Sequence, residues 1–337
     1  MKKPLLLLFT LSASVLFISS MKHPTREITA ETRVSQLLQD AGEEKPAHHI
    51  EYDEEDVQRG YELIHEGRTT KPGGGRSKPI SKFYSCRSCH NVAREDLNLT
   101  QINPDERLQY AIKHRLPYLQ GSTFWGIVNR ETWYNDDYVL KYGDLVRKAE
   151  HSLVESTQLC ARVCAQGRTL EEWEVKSILA YYWSLEMKVK DLSVAPDKLR
   201  EMNEKLASGD RKEVIKWVKS KYLTKSPATF TSVPKDKNKG YELEGRPELG
   251  KVIYEQGCQH CHRPYGESDL VLDDARYTFQ WLMKNIGDNS PLSLYEIIRK
   301  GTYSELGHKE YMPHYTLEKM SDQQVEDLRA YIQSRAR

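Results

Sequence analysis

Four of the six cysteines in this 337-residue chain stand in two copies of one pattern. Cys86-Arg87-Ser88-Cys89-His90 and Cys258-Gln259-His260-Cys261-His262 both read Cys-x-x-Cys-His. The chemistry that needs those residue types at that spacing is covalent haem attachment: two thiols bond to the haem vinyl groups and the adjacent imidazole ligates the iron. Two other uses of Cys-x-x-Cys fit less well. A zinc ribbon brings its pairs within about 15–20 residues of each other, whereas these lie about half a chain apart. A thioredoxin-like disulfide needs a strand ahead of it, and neither site follows a β-branched run. Both alternatives leave the histidine unexplained. The reading is therefore two covalently bound haem c groups, one at Cys86, Cys89 and His90, the other at Cys258, Cys261 and His262.

An iron held by one histidine needs a second axial group, and its identity largely decides between electron carriage and chemistry. Near the second site, Tyr311-Met312-Pro313 precedes the last helical stripe and makes Met312 the expected thioether ligand opposite His262; Met283, Met320 and His308 are the alternatives. The corresponding part of the first half has no methionine between His90 and Met187. Cysteine stands there instead, in Gln158-Leu159-Cys160-Ala161-Arg162-Val163-Cys164. A thiolate on iron lowers the reduction potential and is also a sulfur nucleophile. A disulfide is the competing reading, since residues four apart on a helix rise about 6 Å, within the usual Cα separation for one. His114 and His151 are further candidate ligands. Of the pair, Cys160 ranks ahead of Cys164.

The elements that must position these groups repeat. Val57, Tyr61 and Ile64 recur at helical spacing before Gly67 and the first attachment pattern, and Leu249, Val252 and Ile253 do so after Pro247 and before the second. Each half also closes on an apolar helical stripe, Val175 to Trp183 and Val325 to Ile332. Capping boxes are expected ahead of them at Thr169–Glu172 and Ser321–Gln324. Ala180-Tyr181-Tyr182 aligns with Ala330-Tyr331-Ile332, which makes the internal repeat visible. The fold class is mainly α, with two cytochrome c-like helical domains, each wrapped round one covalently bound haem. The expected division is a signal peptide or anchor at 1–20, a flexible leader at 21–52, a first domain at 53–190, a linker with a helix around Val214 to Val218 at 191–240, and a second domain at 241–337.

Lys2 and Lys3 followed by the uncharged stretch from Pro4 to Ser20 read as an export signal or retained N-terminal anchor. A periplasmic location follows, and only that segment offers a membrane contact. The formal charge of +1 leaves no single-signed field to hold nucleic acid. The lysine-rich stretch 191–240 could face an acidic redox partner, although charge runs are more often simply solvated.

With Cys160 followed by Gly167-Arg168-Thr169-Leu170 and Ala180-Tyr181-Tyr182-Trp183, the chain resembles the thiosulfate dehydrogenases and the haem-bearing A subunit of the Sox thiosulfate-oxidising complex. The resemblance covers the second half of the first domain and both attachment motifs. It implies that Cys160 binds the first iron and that this haem is the reaction centre. Arg162 or Arg168 would then offset the charge of a reduced sulfur anion such as thiosulfate, and a redox partner protein would accept the electrons. The long interval from His90 to Cys160, the segment Phe124 to Tyr134, and the extra Cys164 depart from that family's pattern. A pure electron carrier with two six-coordinate haems is the alternative. A dihaem peroxidase fits the length, but its characteristic Pro-Ser-Leu-Arg-Asn-like segments are absent.

Overall fold

The computed structural model describes residues 26–287, 292–302 and 311–337. The expected export segment and His308 lie outside the described residues. Fourteen α-helices and no named strand occur among those residues. They are α1 Val34–Asp40, α2 Glu54–Glu66, α3 Pro104–His114, α4 Asp136–Tyr142, α5 Asp144–Glu150, α6 Leu153–Leu159 and α7 Glu172–Ser184, then α8 Pro196–Ser208, α9 Arg211–Lys219, α10 Pro247–Ile253, α11 Gln259–His262, α12 Arg276–Ile286, α13 Leu294–Lys300 and α14 Asp322–Ala336. No described helix is long and apolar enough to cross a membrane.

The repeat seen in the sequence has a physical counterpart. In each half the helix before the attachment motif crosses the closing helix, α2 over α7 and α10 over α14. Both crossings are made at a glycine. A Cβ on Gly60 would lie 1.9 Å from the Ser177 carbonyl oxygen and 2.8 Å from Tyr181 Cβ. One on Gly250 would lie 1.9 Å from the Asp327 carbonyl oxygen and 2.8 Å from Tyr331 Cβ. Backbone therefore rests on backbone, with an equivalent tyrosine beside each contact.

Local chemistry sets the ends of these helices. Asp53 caps α2, its Oδ1 accepting from the Asp56 N–H at 2.8 Å, and Gly67 ends the helix in the left-handed region at φ 72°. Ser321 and Gln324 form the expected capping box on α14. The box on α7 lies two positions beyond the expected one: Glu171 is the cap and pairs with Glu174, so Thr169 has no capping role.

Three further expectations change. The leader contains α1, and Val34 and Leu37 are fully buried in a small core with Met202, Leu206, Val214 and Val218 of α8 and α9. Its mixed composition hid an apolar pair at helical spacing that finds its partners about 170 residues downstream. The linker carries two helices, α8 and α9, where one was expected around Val214 to Val218. The boundary between domains is also not where composition placed it. Leu108 and Ala111 of α3, with Tyr118, belong to the core of the C-terminal half, packed with Tyr254, Tyr315 and Leu328.

Arg107 locks that exchange. Its guanidinium is 2% exposed, sits 3.4 Å from Glu95, and donates to the carbonyls of Lys319 at 3.1 Å and Leu119 at 2.8 Å. Lys319 reaches the same carboxylate at 3.1 Å. Tyr118 adds a bond to Gln324 and receives one from Tyr315.

Candidate haem and sulfur site

His90 is placed by what its Nδ1 touches. That nitrogen lies 2.6 Å from the Ser122 carbonyl, so Nδ1–H donates there and Nε2 is left to face outward. Phe124 stacks on the ring at 4.5 Å, and Gly121 makes room for it, since a Cβ there would fall 2.6 Å from both Nδ1 and Cε1. Burial pushes the imidazole below its usual pKa, which favours the neutral form that binds metal. His262 repeats the arrangement, with Nδ1 2.9 Å from the Leu270 carbonyl. Metal-ligating histidines commonly donate their second N–H to a carbonyl in this way. Both attachment sites therefore fit a haem at the level of the imidazole.

Cys86, Cys89 and His90 open onto a cavity of about 410 Å³, within the range of cofactor sites. Leu63 and Ile80 line its near side, with Ile178 and Tyr182 of the closing helix beyond them. Cys160 and Cys164 stand on the same wall system, although about seventy residues of chain separate them from His90. They bound a π-turn after α6, closed by the Ala165 N–H on the Cys160 carbonyl at 2.8 Å. Such turns often occur at functional sites because they re-aim side chains off the helical register. Both cysteines are free thiols. A hydrogen bond with Cys160 holds the Cys164 thiol below its usual range, aided by the Tyr311 hydroxyl against the effect of burial. Cys160, the other member of the pair, is pushed up.

The arginines do not join them. Arg162 is exposed on the π-turn and is absent from the cavity wall. Arg168 is spent on structure: it forks onto Glu174 at 2.6 and 2.7 Å and donates to the carbonyls of Lys78 and Pro79. A residue next to the capping box is drawn to the buried carboxylate there. His114 and His151 are both exposed and away from the cavity, His114 stacked on Tyr110 at 4.1 Å.

Met320 is 1% exposed in the second core, and Met283 packs against the same core. Met312 is held by Thr302, whose hydroxyl accepts its N–H at 2.7 Å. The structure brings Met312, with Tyr311 and His314, to the wall of the cavity built on His90. Position in the chain alone had linked it to His262.

The residues missed in the sequence are those that approach this cavity from distant segments: Arg130, Lys141, Tyr142, Tyr311 and His314. The one available signal was Tyr134, Tyr138 and Tyr142, spaced by four from just before α4 to its end and all on the wall.

The two attachment turns touch. Cys261 Sγ lies 3.6 Å from the Ser88 carbonyl, and the Ser88 hydroxyl donates to Glu267 at 3.2 Å.

Residues 247–336 match the cytochrome c family model. This part of the chain is a cytochrome c domain. It contains Cys258, Cys261 and His262, so covalently bound haem c at that motif and electron transfer follow from the match. The glycine crossing of α10 on α14 and the Ser321 cap both lie inside the cytochrome c domain. No curated protein and no solved structure matches the chain.

Proposed function

We propose that the protein is an exported dihaem cytochrome c that oxidises a reduced sulfur anion, such as thiosulfate, at the first attachment site. The observation that carries this reading is the presence of Cys160 on the same cavity wall as Cys86, Cys89 and His90. Haem c, when bound, supplies one-electron chemistry at iron. Cys86 and Cys89 would hold it by thioether bonds, His90 would ligate from the face fixed by Ser122, and Cys160 would supply the second axial group.

The chain's own groups then account for the rest. Joining two thiosulfates through a sulfur–sulfur bond releases two electrons, and two one-electron centres are needed to take them singly. The contact of Cys261 with Ser88 sets the two attachment turns side by side, which supports passage of electrons between two such centres. Met312 is the sulfur proposed for the haem at His262 from its place in the chain, although its side chain lines the His90 cavity. Electrons would leave to a redox partner protein. Export is supported by Lys2, Lys3 and the apolar run that follows.

The test is an EPR and optical spectrum of the oxidised protein and of Cys160→Ala. A low-spin thiolate-ligated signal that disappears in Cys160→Ala is expected, together with reduction of the wild type by thiosulfate. Absence of that signal, or its survival in the variant, removes Cys160 as ligand and the sulfur chemistry with it.

A further inference from the structure

The cavity wall away from the cysteines carries cationic and polar groups that have no hydrogen-bonding or ion-pair partner among the described residues. His314 is 9% exposed and its Nε2 has no hydrogen-bond partner. Its Nδ1 lies 3.3 Å from the Tyr142 hydroxyl. With that hydroxyl donating to Nδ1, Nε2 carries the hydrogen and is a buried donor with nothing to donate to. A buried donor left unmet in this way is destabilising until a ligand accepts from it.

Two cations reach the same cavity with no ion-pair partner among the described residues, although Asp96, Glu95 and Glu318 act on Arg130 at longer range. Among the described residues, Arg130 has no hydrogen-bonding or ion-pair partner for its guanidinium, although it lines the cavity. Lys141 stands at the rim with its ammonium 4.4 Å above the Phe230 ring and 5.2 Å from that of Tyr142, and no acidic group pairs with it. Lys300, from the cytochrome c domain, lies close enough to oppose its charge. Lys319, a further basic residue on the wall, is tied to Glu95 and Lys300 to Glu296, so neither needs a ligand. Glu318 is the one acidic residue among those lining the cavity, and its oxygens are taken by Thr316 and the Thr229 N–H.

Two unpaired cations, an orphan imidazole donor and a ring of aromatic side chains describe a receptor for negative charge. The geometry points to an oxyanion-binding site made by Arg130, Lys141 and His314, assembled from both halves of the chain and adjoining Cys164 through Tyr142. The ligand chemistry is an oxygen-bearing anion. It has two sources: a free sulfur oxyanion of the kind the proposed function requires, or the carboxylates of the haem itself. The free-anion arm rests on the reading of the first site given above; the carboxylate arm requires only that a haem is attached there.

The test uses the full-length oxidised holoprotein and sodium sulfate, an oxyanion that cannot be oxidised further, followed by isothermal titration calorimetry at fixed ionic strength. Lys141→Met removes a rim charge without disturbing the core, and His314→Phe keeps the ring packing while deleting the donor. If the anion is free, the wild type binds sulfate, each variant weakens it about five- to tenfold, and thiosulfate displaces it. If the anion is a haem carboxylate, sulfate is not taken up, and His314→Phe instead shifts the midpoint potential of the first haem and its pH dependence. Sulfate binding unchanged in both variants overturns the site. So does the combination of no sulfate uptake and an unaltered potential. Neither readout depends on Cys160: if the thiolate signal is absent yet sulfate binding follows Lys141 and His314, the reaction proposed above fails and the oxyanion site stands.

Discussion

Replacing Arg107 by methionine should do more damage than any surface substitution, and the structure says how much. The side chain is 2% exposed and contributes one charge contact and two donated hydrogen bonds. Removing one partner of a buried ion pair costs about 3–5 kcal/mol. Glu95 would keep Lys319 at 3.1 Å and Asn91 at 2.7 Å, so the lower end applies. The carbonyls of Leu119 and Lys319 lose a donor, adding about 1 kcal/mol. Together this is about 4 kcal/mol, or a fall in Tm of about 8 °C at about 2 °C per kcal/mol for a chain of this size. Because Arg107 lies on α3 but binds backbone next to α14, the loss should also separate the halves. Unfolding followed by far-UV circular dichroism and by haem absorbance should give one coincident transition in the wild type and two in the variant. The double variant Arg107→Met/Glu95→Gln should lose less than the two single losses added together, since it leaves no stranded carboxylate. A single loss below about 1 kcal/mol, or strict additivity in the pair, would refute the account of this cluster.

Other consequences are as direct. Burial opposes the charge of Glu95, but Arg107 and Lys319 outweigh it and hold its pKa at about 2. Its unfolded value is about 4.3, so its stabilisation is complete above that pH and is lost as pH falls toward 2, on the order of 3 kcal/mol in all; acid titration of stability should show this slope, and Glu95→Gln should flatten it. Gly121→Ala puts a methyl group 2.6 Å from the His90 ring and the Cys89 carbonyl, so His90 should leave Ser122, with about 1–3 kcal/mol of stability lost and a reduced low-spin signal from the first haem. Burial, then Lys300, lowers Lys141 to about 8. Of the groups around it, Tyr138 and Tyr142 are pushed upward and His314 down to about 3, so sulfate affinity should fall as pH rises through about 8, a step that Lys141→Met should abolish. Met312→Ala should change the spectrum of the haem at His262 and leave the thiolate signal intact; the reverse result would reassign Met312 to the first iron.

What could be read in the sequence was whatever repeats at short range. The attachment motifs, the apolar stripes of α7 and α14, and the Ser321 cap are each decided within about fifteen residues. Gly60 and Gly250 were available on the same terms, since both precede an attachment motif on a helix whose partner carries an aligned tyrosine. What was not legible depends on distant pairing. Val34 and Leu37 look like isolated apolar residues in a polar leader until α8 and α9 are placed beside them. Arg168 and Arg162 lie near Cys160 in the chain, but one is claimed by Glu174 and the other points to solvent. Arg130, Lys141 and His314 carry no motif; the approach of α4 to the segment before α14 brings Lys141 to His314, and Arg130 reaches the same cavity from the turn ahead of α4.

That approach has a bearing on how the molecule is made. The cavity that opens onto Cys86 and Cys89 is finished on one side by Tyr311, Met312 and His314, residues that leave the ribosome when almost all of the chain has been synthesised. Until then the first attachment cysteines belong to a half-built pocket open on the side where the C-terminal residues will close. The haem proposed for that motif would then enter an incomplete fold from the side, and the arrival of the C-terminal segment would act as the closing of a door. Substitutions at Tyr311 or His314 should therefore be felt at the attachment motif farthest from them in the chain, whereas loss of α14 should be felt first at the second motif, whose preceding helix α10 rests on it.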